Sequence, residues 1–452
     1  MRKLTEGNIT RQIILFMLPF LLGNALQRFY TLCDTMMVGR LLGPDALSSV
    51  GSAANVGMLL IVMVNGFTMG FSIITGQYFG AGNDRELKKA LAGSYVLSLA
   101  ICIVLVIFGL IFEKEILVLI NVPADLLELS SEYLRIIIWG LFASLVYNLM
   151  ANMLRSLGDS IVPLVFLAIS SIMNIGMDYC FMKYLNMGVS GAALATVISQ
   201  SISGIACVIF CLFKRKEMIV SVSDFSFREN KFGDLMPQGI SMSMMLTVVA
   251  VGSVILQSGI NSLGKDVIAG YTAGRKYLEF FMLFLASMAG TASAFTSQNY
   301  GAKKYDRIIS GVRQSILISW GMTILCVIAV YAFGREMVTS ITRSDVSESI
   351  ISPGIIYLKS NIPIFIFLSV LLVGRSVLQG MNKKKTPVVA SVMELIVKII
   401  AVKVFVPMMG FWAICIAEPI IWILGAFWVY PVFVFSIRKL RKDGKSVEQL
   451  MQ

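Results

Sequence analysis

Long apolar stretches alternate with short polar loops along this chain. Residues 91–112, 189–213, 235–264 and 315–333 each contain no charged side chain. About 20 residues of α-helix cross the roughly 30 Å of hydrocarbon in a bilayer, so these stretches are typical of membrane-spanning helices. They lack the two-residue alternation of strands in a membrane barrel. The pattern therefore predicts an all-α integral membrane protein.

Twelve transmembrane helices are predicted from these stretches and their polar boundaries. The first follows a basic start and has no small-residue cleavage pattern, so we interpret it as a span and not as a leader peptide. The predicted spans are residues 13–37, 48–75, 91–112, 133–154, 161–182, 189–213, 237–260, 271–296, 313–333, 355–379, 387–407 and 411–435.

Composition and charge agree with a membrane location. Hydrophobic residues make up 57% of the 452 residues and charged residues 14%, against about 25% charged in soluble domains. If the N-terminus is cytoplasmic, most Lys and Arg residues fall in cytoplasmic loops, among them the runs 214–216 and 383–385. The positive-inside rule then predicts that both termini are cytoplasmic, in a bacterial plasma membrane. The net charge of +12 thus reflects topology and predicts no nucleic-acid partner.

An internal repeat divides the chain. Gly43 and Asp45 match Gly264 and Asp266, and at the same separation of 221 residues the segments 77–81 and 298–302 both read Gln-x-x-Gly-Ala. Six spans per half make the repeats parallel, an arrangement that encloses a central cavity in many transporters. We predict an N-terminal six-helix bundle at residues 1–213, a cytoplasmic linker at 214–236, and a C-terminal six-helix bundle with a basic tail at 237–452.

Carboxylates within the spans are the candidate functional groups. An ionised side chain at the bilayer centre costs about 2.5–3.5 kcal/mol on insertion scales, so each one requires a reason. Asp34 lies toward the outer end of the first span, where it is either interfacial or a buried functional acid. Asp178 lies deep in the fifth span with Asn174 one turn before it, and carboxylate and amide oxygens suit a proton or a hard cation.

The role of the other polar residues in the spans has two interpretations. Asn148 and Asn152 share a face of the fourth span, and Thr196 lies in the sixth. Such side chains either contribute to a cation site or form hydrogen bonds between helices. In the second half, the cavity candidates are Glu279, Glu394 and Lys398, and the last two are spaced to form an ion pair.

Several classes of function find no support in the sequence. The chain has no histidine, its seven cysteines are scattered through apolar segments, and no phosphate loop or catalytic constellation is evident. We therefore predict no enzymatic activity, no cofactor, and no metal beyond a sodium ion at Asp34 and Asp178. A membrane enzyme or a receptor is disfavoured on the same grounds.

These motifs resemble the multidrug and toxic compound extrusion (MATE) family, most closely its DinF-like branch. The resemblance covers almost the whole chain, and the order of the motifs is more specific than any one of them. It is carried by Leu4-Thr5-Glu6-Gly7, Asp34-Thr35 with Val38-Gly39, the loops at Gln77 and Gln298, Leu154 to Asp159 with Pro163, and Gln379-Gly380 with Pro387.

The resemblance implies a V-shaped pair of six-helix bundles that work by alternating access. It implies a monomer in contact with membrane lipids that exports drug-like, often cationic and aromatic compounds by antiport against protons or sodium ions. The cation-coupling residues that it implies are Asp34, Asn174, Asp178, Thr196 and either Asn148 or Asn152. The seventh and tenth spans lack the acids of the NorM-like branch, so coupling is expected in the first half.

Two transport alternatives remain open: a channel, although pseudo-symmetric halves favour alternating access, and a flippase. A flippase for lipid-linked oligosaccharides or peptidoglycan precursors shares this type of fold. Its cavity usually needs several basic residues for a pyrophosphate group, whereas the candidate cavity here contains Asp34 and Asp178.

Overall fold

The chain is almost entirely helical. The computed structural model describes residues 4–225, 231–342 and 347–451, with side chains up to residue 440, and no strand occurs in these residues. The prediction of an all-α protein is confirmed. The helices are α1 (Ile9–Leu41), α2 (Pro44–Gly80), α3 (Asp84–Leu119), α4 (Leu127–Trp139), α5 (Leu141–Ser156), α6 (Ile161–Lys183), α7 (Gly188–Lys214), α8 (Phe232–Asn261), α9 (Lys265–Gly301), α10 (Tyr305–Thr342), α11 (Glu348–Asn361), α12 (Phe365–Gly380), α13 (Lys385–Ile400), α14 (Val406–Met409) and α15 (Phe411–Met451).

Ten helical spans in the described residues are long and apolar enough to cross a membrane, so the chain is a multi-pass membrane protein. The pair α4 and α5, bent by 42°, adds an eleventh when it is counted as one span. The span predicted at residues 387–407 is helical but broken, because a π-helix at Ala401–Phe405 separates α13 from α14. Several helices exceed their predicted spans; among them, α9 has 37 residues, and α10, which is kinked at Phe333, has 38. At 1.5 Å per residue, α9 reaches about 55 Å and the part of α10 before the kink about 42 Å, so both are longer than the roughly 30 Å of hydrocarbon.

The chain forms two compact units. Helices α1 and α8 each begin in one unit and continue into the other. One unit comprises Leu18–Met244, and the other comprises Leu4–Met17 together with the chain from Met245 on. The first turns of α1 therefore belong to the second unit, and the first turns of α8 belong to the first unit. The predicted domain bounds, with a linker at residues 214–236, stay a prediction.

Turn conformations recur at the positions that the internal repeat aligns. Gly43 and Gly264 precede α2 and α9 with φ angles of 90° and 92°. Gly158 and Asn382, after α5 and α12, also have positive φ angles, 90° and 62°. Glycine and asparagine are the residues that adopt this backbone region most readily. The repeat in the sequence thus corresponds to a repeat of local structure.

Close helix packing within the first unit depends on two glycines of α2. A Cβ atom on Gly66 would lie 2.4 Å from the Cα of Ser243, and one on Gly70 would lie 2.6 Å from the carbonyl oxygen of Gln238. Real Cβ atoms do not approach so closely, so α2 and the first turns of α8 meet backbone to backbone. Small residues allow this contact in membrane helices.

The segment before α1 is bound within the second unit. The backbone N–H of Leu4 donates to Oε1 of Gln298 at 2.9 Å, and Nδ2 of Asn299 donates to the carbonyl of Leu4 at 3.1 Å. The guanidinium of Arg307 donates to the carbonyl of Gly7 at 2.9 Å. These contacts give a structural role to the Leu4–Gly7 motif and to the loop at Gln298.

Candidate functional site

A small polar cavity lies between α1, α5, α6 and α7 in the first unit. Its volume is about 20 Å³, which is enough for one water-sized guest because such a guest needs about 10–15 Å³. Two of the predicted site residues, Asn148 and Asn174, line it. The polar lining consists of Gln27, Tyr30, Tyr147, Asn148, Ser171, Asn174, Ser199, Gln200 and Ser203.

Four of the predicted site residues have buried polar atoms without hydrogen-bond partners within the described chain. These are six atoms: Oδ1 of Asp34, both side-chain polar atoms of Asn174, both carboxylate oxygens of Asp178, and Oγ1 of Thr196. Buried polar groups in proteins nearly always have hydrogen-bond partners. A proton, a cation or water would satisfy these atoms, so the arrangement suits reversible occupancy.

The two acids of this group act on each other. The carboxylates of Asp34 and Asp178 are close enough to interact electrostatically. In the described residues, neither forms an ion pair with a lysine or an arginine. Two carboxylates in a medium of low dielectric repel each other, and one proton or one monovalent cation relieves that repulsion.

Asp34 lies well inside α1 in this structure. The helix continues to Leu41, which places Asp34 about 10 Å before its end at 1.5 Å per residue. The side chain is half-buried, and Tyr30, one turn earlier, lines the cavity. Gln27, Tyr30 and Asp34 therefore follow one face of α1 toward the cavity.

The two candidate asparagines of α5 have different surroundings. Asn148 lines the cavity, and its Nδ2 donates to the carbonyl of Ser144 at 2.8 Å. Asn152 turns to α2, where its Nδ2 donates to Oδ1 of Asn65 at 3.1 Å and to Oγ1 of Thr68 at 3.0 Å. Of the two, Asn148 has the position of a cavity residue and Asn152 that of a helix-packing residue.

The second unit contains a buried cluster of two cations and one carboxylate. Nζ of Lys398 lies 2.9 Å from Oε1 of Glu394, which is the pair expected from their spacing. Arg375 binds Oε2 of the same carboxylate at 3.1 Å. All three side chains are less than one-tenth exposed. We call these residues the α13 charge cluster, and it has a formal charge of +1.

A second ionic cluster contains the remaining candidate, Glu279. Arg275 lies 3.1 Å from Glu279 and 2.8 Å from Glu418. Arg275 also donates to the hydroxyl of Tyr357 at 3.0 Å, and this hydroxyl donates to Glu418. The buried carboxylate of Glu418 is thus paired with both Arg275 and Tyr357. Because this cluster has a formal charge of −1, the two clusters of the unit are neutral together.

Several cavity residues were missed by the sequence interpretation. Gln27, Tyr30, Tyr147 and Gln200 are uncharged, and uncharged polar residues are common in membrane helices for packing alone. The signal that could have found two of them is the spacing of Gln27 and Tyr30 before Asp34, which puts all three on one helix face.

Comparison with known proteins gives a consistent family match. The model of the MatE family matches residues 19–180 and 240–403. A relative in Bacillus subtilis (strain 168), named probable multidrug resistance protein YoeA, is 28% identical over 348 residues, which are 75% of this chain and 74% of the relative. The multidrug export protein MepA of Staphylococcus aureus (strain N315) is 21% identical over 343 residues, or 75% of each chain.

Solved structures show the same fold. A MATE crystal structure in a bent conformation has a TM-score of 0.89 at 21% identity and covers 97% of this chain and 98% of its own. A transporter of the MOP superfamily from Pyrococcus furiosus, described as having a binding pocket of reverse polarity, has a TM-score of 0.88 with the same coverage. These likenesses confirm the predicted class of fold, twelve helices in two bundles.

Proposed function

The chain belongs to the MatE family, and from this premise we propose that it is a secondary active multidrug exporter that exchanges organic compounds for protons or sodium ions. The family consists of transporters and not of enzymes. The relatives' names, multidrug resistance protein and multidrug export protein, support drug-like compounds as the transported class.

One observation supports placing the coupling site in the first unit. Asp34, Asn174, Asp178 and Thr196 carry six buried polar atoms without partners in the described residues, and Asn174 lines the cavity that would hold one small guest. The resemblance of the sequence to the family implies the same four residues as coupling residues. A purely structural polar cluster would satisfy its own atoms, as Asn152 does with Asn65 and Thr68.

The proposed coupling follows from the charge of the site. With both carboxylates ionised, α1 and α6 repel each other at Asp34 and Asp178. A proton or a sodium ion removes this repulsion and favours a different packing of α1, α5, α6 and α7. Exchange then requires that the cation and the drug bind the two packings with different affinities.

We propose a bacterial plasma membrane as the location, with both termini in the cytoplasm. The support is the distribution of lysine and arginine along the chain, which favours the loops on the side of the N-terminus. The protein would act as a monomer without a resident cofactor, since the proton or the sodium ion is a transported partner.

The deciding experiment measures ethidium efflux from energised cells that carry the wild type or Asp34→Asn. The proton gradient and the sodium gradient are collapsed separately. We expect efflux to require Asp34 and only one of the gradients, which identifies the coupling ion. Lys385→Ala, which removes an exposed charge on α13, is the control for a general effect of charge. Full efflux by a well-expressed Asp34→Asn protein would contradict the proposal.

The second candidate function is a flippase for pyrophosphate-linked lipids. It is favoured by the excess positive charge of the α13 charge cluster, where Arg375 and Lys398 share Glu394. It is disfavoured because the cluster at Arg275 has the opposite excess. A deletion strain with normal drug tolerance and defective wall or capsule synthesis would favour this candidate over drug export.

A further inference from the structure

The second unit carries a groove on its outer surface, apart from the polar cavity of the first unit. It lies between α10, α12 and α15 and has a volume of about 620 Å³. This volume is within the range of about 300–1,000 Å³ that is usual for small-molecule sites. Its floor includes the buried residues Val312, Ala426 and Phe433, so the groove is recessed and not a flat face.

The walls of the groove are apolar and aromatic. Phe367 of α12 and Phe427 of α15 face each other with ring centroids 6.3 Å apart. Trp320 of α10 also lines the groove, and its indole N–H donates to the carbonyl of Ile366 at 3.1 Å. The polar end of the tryptophan is thus satisfied by the protein, and its ring presents hydrocarbon to the groove.

The length of the groove corresponds to one leaflet. Its lining on α10 extends from Ile309 to Trp320, about 16 Å at 1.5 Å per residue. Half of the roughly 30 Å hydrocarbon layer is about 15 Å. One acyl chain of a single leaflet would therefore run from the end at Ile309 to the end at Trp320.

One cation lies near the Ile309 end of the groove, because side chains on a helix lean toward its N-terminus and that of Arg313 is long enough to reach back by one turn. Arg313 lines the groove, is exposed, and has no ion-pair partner in the described part of the chain. It lies about 12 Å after the start of α10, a helix long enough to project from the hydrocarbon, so Arg313 is near the level of the lipid headgroups. Arg438 and Lys439, both exposed, lie on α15 just beyond the groove residue Phe433.

We propose that this groove binds one anionic phospholipid, whose acyl chain lies along Trp320, Phe367 and Phe427 and whose phosphate binds Arg313. A guanidinium matches phosphate oxygens in a planar, two-point geometry, and a cation without an ion-pair partner favours a lipid of net negative charge over a zwitterionic one. The side of the membrane follows from the proposed orientation, which places the Ile309 end in the cytoplasmic leaflet. The lipid site does not depend on drug export.

The test uses native mass spectrometry of the purified full-length protein. The protein is stripped of lipid in detergent and exposed to equal amounts of palmitoyl-oleoyl phosphatidylglycerol and phosphatidylcholine. We expect the wild type to retain phosphatidylglycerol several-fold better. Arg313→Ala should lose this preference, Arg313→Lys should keep part of it, and Lys385→Ala, an exposed cation outside the groove, should behave as the wild type.

Variants that fill the groove test its apolar part. Val370→Trp places a large ring in the α12 wall, and Ala426→Leu raises the floor if the first variant does not fold. Either should reduce the retention of both lipids.

Unchanged phosphatidylglycerol retention in Arg313→Ala or in the filled variants would overturn the proposal. Displacement of the lipid by ethidium, or a dimer that the filled variants abolish, would assign the groove to a drug or to a second copy and also overturn it. Transport is not part of this readout, so its result is independent of the proposed export function.

Discussion

Asn174 and Asp178 lie one turn apart on α6, both are completely buried, and neither side chain has a hydrogen-bond partner within the described chain. Leaving such groups unsatisfied in a hydrocarbon environment costs free energy. This cost is explained if a proton or a sodium ion binds these groups and leaves them again during transport.

Asp178→Asn should separate stability from transport. The substitution keeps the shape of the side chain and removes a charge that repels Asp34, so the melting temperature of the purified protein should stay unchanged or rise. Efflux against a gradient should fall at least about tenfold, since the group that binds the cation is lost. Thermal unfolding in detergent and ethidium efflux from cells measure the two effects. A lowered melting temperature with normal efflux would mean that Asp178 is a structural residue.

Asn148 and Asn152 should respond in opposite ways to replacement by alanine. Asn148 lines the cavity, so Asn148→Ala should reduce efflux and leave the melting temperature close to that of the wild type. Asn152→Ala removes the bonds to Asn65 and Thr68 and should cost about 1–2 kcal/mol of stability. Equal effects of the two substitutions on both measurements would contradict the assignment.

Glu394→Gln should be strongly destabilising. It leaves Arg375 and Lys398 buried without their shared carboxylate, and loss of one partner from a buried ion pair typically costs about 3–5 kcal/mol. The matched variant is Glu394→Gln combined with Lys398→Met, which restores the original formal charge of the α13 charge cluster. We expect this double variant to recover much of the lost melting temperature. No recovery would show that geometry and not charge dominates there.

Gly66→Ala should loosen the first unit. Its new methyl group would overlap with the backbone of Ser243, and overpacking of this kind costs about 1–3 kcal/mol. Gly51→Ala is the control in the same helix, because a Cβ atom there meets nothing within 4 Å. Gly51→Ala should leave the melting temperature unchanged or raise it, since alanine is favoured over glycine in a helix by up to about 1 kcal/mol. A higher melting temperature for Gly66→Ala would contradict the close contact.

Much of the fold could be predicted because the bilayer imposes it. An apolar stretch must form a helix to satisfy its own backbone, so the positions of the spans follow from hydrophobicity alone. The breaks could not be predicted in the same way. The π-helix at Ala401–Phe405 contains a single charge, Lys403, and the bend between α4 and α5 falls at Gly140, and neither residue marks a break in the hydrophobic pattern.

The candidate site was only partly accessible from sequence. Asp34 and Asp178 stood out because a carboxylate in an apolar helix is unusual. Tyr30 and Gln200 did not, because their types are common there and only the three-dimensional arrangement places them at the cavity. The partners of Glu418 were hidden for another reason, since Arg275 and Tyr357 are distant in the sequence and meet it only after folding.

The sharing of α1 and α8 between the compact units bears on how such a chain could arise. In a dimer of a single ancestral half with the same arrangement, the first helical turns of each copy would pack within the other copy. Such a dimer has exchanged segments. Duplication of the gene and fusion of the copies would then join two proteins that were already intertwined. It follows that severing the chain between α7 and α8 should yield fragments that are each incomplete, because each carries the turns that complete the other.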